Sequence, residues 1–140
     1  MSDSLRESLR RLLMVQVPVT LTLMVLAREI AAVMGFEPIQ VGIFRLALVG
    51  AFLHILTLFG TIVLLYFDRR RAAMEVSAVF LAANLVLTVA SPLLGPRFYG
   101  QGYLLAALAA CAWTCVRVEQ TFDDLEYLTF ASQPIEPATG

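Results

Sequence analysis

Lysine is absent from this 140-residue chain, histidine occurs once and cysteine twice. Charged residues supply only 15% of it, against roughly 25% in ordinary soluble domains. Ten arginines against eleven acids leave a net charge of −1. That balance excludes an electrostatic nucleic-acid binder, which needs a basic surface to displace counterions from phosphates. Two cysteines, Cys111 and Cys115, cannot staple a disulfide-rich secreted scaffold. Hydrophobic residues reach 59% and mean hydropathy is +0.80, which excludes a disordered chain. The length is that of one domain, so no multidomain enzyme is expected. The class left is a polytopic membrane protein.

Gaps in the charge pattern locate the spans. Asp, Glu, Lys and Arg are missing from 12–27, 46–67, 76–96 and 98–116, runs of 16, 22, 21 and 19 residues. A helix rises about 1.5 Å per residue and the hydrocarbon core is about 30 Å thick, so about 20 residues cross it. Lipid offers no partner to open backbone groups, which leaves helices or a closed barrel. Leu46 to Phe67 is apolar almost throughout instead of alternating with period two, and this favours helices. The expected fold is an all-α polytopic membrane helical bundle. Four transmembrane helices are placed at about 10–30, 45–67, 74–94 and 98–117. A short cytoplasmic amphipathic helix at 119–131 and a flexible tail at 132–140 follow. Pro18 predicts a kink in the first span, and Ser91-Pro92-Leu93-Leu94-Gly95-Pro96-Arg97 predicts the turn between the third and fourth.

Arginine counts give the orientation. Arg6, Arg10, Arg11, Arg69, Arg70, Arg71 and Arg117 fall on one side, and Arg28, Arg45 and Arg97 on or near the other. The positive-inside rule then puts both termini in the cytoplasm. A rival reading makes 1–27 a signal peptide, with Val25-Leu26-Ala27 as cleavage site, but Pro18 interrupts its apolar run.

Few residues inside the spans can carry chemistry. His54 lies near the centre of the second span, where a titratable group is a functional candidate by default. The ordinary alternative is an interhelical hydrogen bond, with Asn84 or a hydroxyl as partner, worth about 1 kcal/mol. With no second histidine and no neighbouring acid in its helix, no metal site is expected. Arg45 is expected to reach the outer headgroups, and Glu75 to sit among Arg69, Arg70 and Arg71 at the inner face. That arginine triplet marks topology and contact with anionic membrane lipids. Cys111 and Cys115 share a helical face but lack redox spacing, and read as packing residues. Ala106-x-x-x-Ala110 has the small-residue spacing of a close helix–helix contact. Tyr99, Tyr103 and Trp113 read as interface and packing aromatics. No acid lies within a span, against a proton-coupled drug antiporter. No phosphate-binding loop, nucleophile triad or paired carboxylate at membrane depth is visible, so neither an enzyme nor a cofactor site is expected.

Three ordered blocks carry a family resemblance. They are Leu65-Tyr66-Phe67-Asp68-Arg69-Arg70-Arg71-Ala72-Ala73, Leu94-Gly95-Pro96-Arg97-Phe98-Tyr99-Gly100-Gln101-Gly102 and Leu125-Glu126-Tyr127-Leu128-Thr129-Phe130-Ala131-Ser132-Gln133-Pro134. Together they resemble the closing portion of PelG, the polytopic membrane component of the Pel exopolysaccharide export system. The resemblance implies a flippase-like transporter of the multidrug/oligosaccharidyl-lipid/polysaccharide type, with about twelve helices in two halves and a cavity between them. The chain would correspond to the last four helices and be incompetent for transport alone. Implied partners are the remaining helices, the other Pel inner-membrane proteins, the cytosolic glycosyltransferase and the polysaccharide. The residues alone also fit two other readings. One is a free-standing four-helix scaffold assembling through its alanine-rich fourth span. The other is a redox or metal protein using His54, Cys111 and Cys115.

Overall fold

The computed structural model describes residues 2–95, 98 and 100–131, among which there is no strand. Its helices are α1 (Ser2–Val25), α2 (Ala27–Met34), α3 (Pro38–Tyr66), α4 (Arg70–Leu94) and α5 (Gln101–Ala131). Four segments are long and apolar enough to cross a membrane: Ser4–Val25, Pro38–Tyr66, Arg70–Leu93 and Gln101–Asp124. The all-helical fold expected from the charge gaps is the fold observed.

Pro18 does not end α1, which runs through it to Val25. The interruption falls two turns later at Leu26, where φ is −78° and ψ is 1°. Leu26 N–H still donates to Thr22 O at 2.9 Å, and Ile30 N–H to Leu26 O at 2.9 Å. A proline forfeits one ladder bond but need not break a helix whose neighbouring bonds hold. α2 closes on Gly35 at φ 72°, with Phe36 N–H donating to Ala31 O at 2.8 Å. α3 then opens on a reciprocal cap between Glu37 and Gln40, with Pro38 at the first turn.

The turn from α3 to α4 reverses the chain within three residues. Asp68 takes a left-handed conformation, φ 58°. Its N–H donates to Leu65 O at 3.0 Å, and Arg69 N–H donates to Leu64 O at 2.9 Å. This is the paired closure of a Schellman motif, built on an aspartate where glycine is commoner. At the opposite end of the bundle, α4 carries Pro92 in its last turn, Gly95 has φ 99° and Phe98 N–H donates to Gly95 O at 3.0 Å. The turn therefore lies where the proline–glycine cluster implies; Pro96, Arg97 and Tyr99, and the expected tail at 132–140, lie outside the described residues. Residues 119–131 continue α5 without a break.

α5 is the centre of the packing: it lies against both α3 and α4, which touch each other far less. Helices in lipid gain little from hydrophobic burial and associate through close van der Waals fit, which requires small residues at the contact. Ala106, Ala107 and Ala110 of α5 are all 0% exposed. On α3, a Cβ at Gly50 would stand 2.5 Å from Tyr103 Cε1, and one at Gly60 would collide with the Thr114 methyl. On α5, a Cβ at Gly102 would come within 3.1 Å of the Leu87 backbone of α4. The buried hydroxyls spend their hydrogen on their own helix. Thr57 donates to Leu53 O at 3.0 Å, Thr114 to Ala110 O at 2.7 Å and Thr121 to Arg117 O at 2.8 Å. By contrast α1 and α2 pack mainly on α3 and less on each other, and none of the α1 span is buried.

Candidate functional site

Charge gathers at one end of the bundle. Leu5, Arg6 and Leu9 of α1 line a pocket of about 360 Å³ with Phe59 and Val63 of α3 and Val118 and Phe122 of α5. The Phe122 ring also meets Phe67 edge-on at 5.7 Å. The start of α1, the α3–α4 turn and the later turns of α5 therefore share this end. With them come Arg6, Arg10, Arg11, Arg69, Arg70, Arg71 and Arg117. Arg28 and Arg45 are in other parts of the chain, beside the α1–α2 break and early in α3.

The α3–α4 turn and α5 are tied by ion pairs. Arg69 Nη2 donates to Asp124 Oδ2 at 2.7 Å, and Arg117 pairs with Glu75. Arg70 Nε pairs locally with Asp68 Oδ1 at 2.8 Å. Arg117 also donates to Gln120 Oε1 at 3.0 Å and lies 5.1 Å above the Trp113 ring. A second pocket, of about 450 Å³, is lined by Asp68, Arg69, Arg70, Arg71, Ala72, Glu75 and Arg117. The structure thus brings Glu75 together with all three arginines of the triplet. Arg45 is not part of this group. Sequence reasoning missed Arg117 and Asp124 as partners. They stand 42 and 55 residues from Glu75 and Arg69, and no local spacing signals such pairs.

His54 and Asn84 do not pair. The His54 ring packs on Phe80 with centroids 4.6 Å apart, and Phe80 in turn meets Tyr103 at 6.3 Å. His54 Nδ1 is buried without a hydrogen-bond partner among the described residues. Asn84 Oδ1 instead accepts from the Thr88 hydroxyl at 3.2 Å. The expected interhelical bond fails because Phe80, one turn before Asn84, occupies the place opposite the imidazole. Thr88, one turn beyond, satisfies the amide oxygen locally. Cys111 faces Thr57 across the α3–α5 contact, with Cys115 one turn on, and both thiols are free. Among the described residues no three His, Cys, Asp or Glu side chains converge as metal ligands.

Span-length helices packed through alanine and glycine, with arginines gathered at one end, define a polytopic helical-bundle membrane protein. A family model matches residues 1–130, that of PelG, described as "Putative exopolysaccharide Exporter (EPS-E)". The chain belongs to the PelG family, a family of exporters and not of enzymes. No curated protein and no solved structure matches it significantly.

Proposed function

We propose that this chain is the C-terminal, four-helix segment of a PelG-type transporter of the bacterial inner membrane and takes part in exopolysaccharide export as part of a larger helical assembly. Both its ends face the cytoplasm, where the arginine-rich end of the bundle belongs by the positive-inside rule. As part of one half, it needs the remaining helices to complete an alternating-access cavity. Its partners are the remaining helices, the other Pel inner-membrane proteins, the glycosyltransferase and the polymer itself.

The observation that carries this reading is the uncovered flank of α4. Only 6% of its span is buried. Ser77, Asn84, Thr88 and Ser91 recur at spacings that put them on one side of the helix, and each is at least partly exposed. The three hydroxyls have local acceptors or partners, but the Asn84 amide N–H groups have none among the described residues. Donors in hydrocarbon without acceptors are unfavourable, so such a stripe belongs against a further helix or a polar path. The free-standing scaffold has less support, since Ala106, Ala107 and Ala110 are already covered by the chain's own helices. A photocrosslinking residue at Asn84, introduced in cells carrying the intact export system, should yield adducts with another transmembrane polypeptide segment. Adducts with lipid alone would contradict the assignment.

A further inference from the structure

We propose that the pocket between the α3–α4 turn and α5 binds the phosphate group of an anionic phospholipid, one whose headgroup carries no compensating cation. The inference rests on the chain spanning a membrane and is independent of what the assembly exports. Four guanidinium groups line the pocket with two carboxylates, Asp68 and Glu75, and a third carboxylate, Asp124, pairs with Arg69. Their pairing leaves donors over. Arg71 pairs with no carboxylate among the described residues, and Arg70 holds only Asp68, in a pair whose side chains are 81% and 78% exposed. Such an exposed pair is weak and yields readily to a better acceptor. Arg117, also in the lining, is held by Glu75, Gln120 and Trp113, yet its Nε is buried without an acceptor among the described residues. The first turn of α4 adds backbone N–H groups that no side chain caps. Guanidinium forks match the tetrahedral oxygens of a phosphate ester. Depth fits as well: the pocket lies where the span Pro38–Tyr66 ends and the span Arg70–Leu93 begins, the level at which headgroups sit.

The test uses the full chain purified in detergent, with lipid retention read by native mass spectrometry. Phosphatidylglycerol should be retained in preference to phosphatidylcholine. Arg71→Gln should lower that retention about fivefold, the effect of one arginine at an anionic surface, and Arg71→Lys should recover part of it. Arg10→Gln, at the same end of the bundle but outside the pocket, should leave it unchanged. Equal retention of the two lipids would overturn the proposal. So would equal losses in Arg71→Gln and Arg10→Gln, which would mean diffuse surface charge. Inorganic phosphate displacing the lipid at matched concentration would assign the pocket to a soluble anion and overturn the headgroup.

Discussion

Gly60→Ala should destabilise the bundle by about 1–3 kcal/mol, the usual range for overpacking a close contact, and Thr114→Ala should recover most of the loss. The reason is steric. A Cβ on Gly60 meets the Thr114 methyl directly and stands 3.7 Å from Val118 Cγ2. Alanine is the better helix former by about 1 kcal/mol in an open helical position, so the substitution would stabilise α3 if the site were free. Gly42 provides that comparison, because a Cβ there meets nothing within 4 Å. Removing the Thr114 side chain deletes the colliding methyl together with a hydroxyl that bonds only to Ala110 O of its own helix. Unfolding in detergent or bicelles should therefore show Gly60→Ala destabilised, Gly42→Ala neutral or better, and the Gly60→Ala/Thr114→Ala pair near the parent. Equal behaviour of the two glycine variants would mean that α3 and α5 are not in this contact.

Ala110→Leu should have the larger effect on geometry. Ala110 is 0% exposed, in the face of α5 buried within the bundle, and three added carbons have nowhere to go without moving a helix. The expected loss is about 1–3 kcal/mol at least, with α5 displaced from its place between α3 and α4. Cys111 reports the displacement, since it is half-buried against Thr57 whereas Cys115 is exposed. In Ala110→Leu the labelling rate of Cys111 by a membrane-permeant maleimide should rise toward that of Cys115. Leucine at the neighbouring exposed Ala109 should leave both rates unchanged. Parental stability and labelling in Ala110→Leu would contradict the packing order.

What the sequence made legible was whatever depends on one dimension. The spans follow from charge-free length, since desolvating a charge outweighs every local preference within the hydrocarbon. The turn after α4 follows from Pro92 and Gly95, and the close-packed face of α5 from Ala106 and Ala110. Family membership was legible as well, from three blocks whose order matters more than any one of them. What stayed hidden depends on which helices are neighbours. Arg117 meets Glu75, and Asp124 meets Arg69, only because α5 lies against α4. His54 finds Phe80 instead of Asn84 because of how α3 and α4 face each other, and spacing within one helix cannot supply that. Gly50 and Gly60 drew no notice in the sequence, and Gly102 none as a contact, because a glycine reads as a close contact only once the atoms across from it are known. Pro18 lies within α1, which continues through it to Val25, because a helix in lipid has no water to satisfy freed carbonyls and keeps its remaining ladder bonds.

Topology is the point on which the rest depends. With Cys111 and Cys115 replaced by alanine, single cysteines at Ser4, Gly35 and Asp123 can be labelled from either side of sealed membranes. The account predicts that Ser4→Cys and Asp123→Cys react from the cytoplasmic side and Gly35→Cys from the other. Reaction of Ser4→Cys and Asp123→Cys from opposite sides would contradict it.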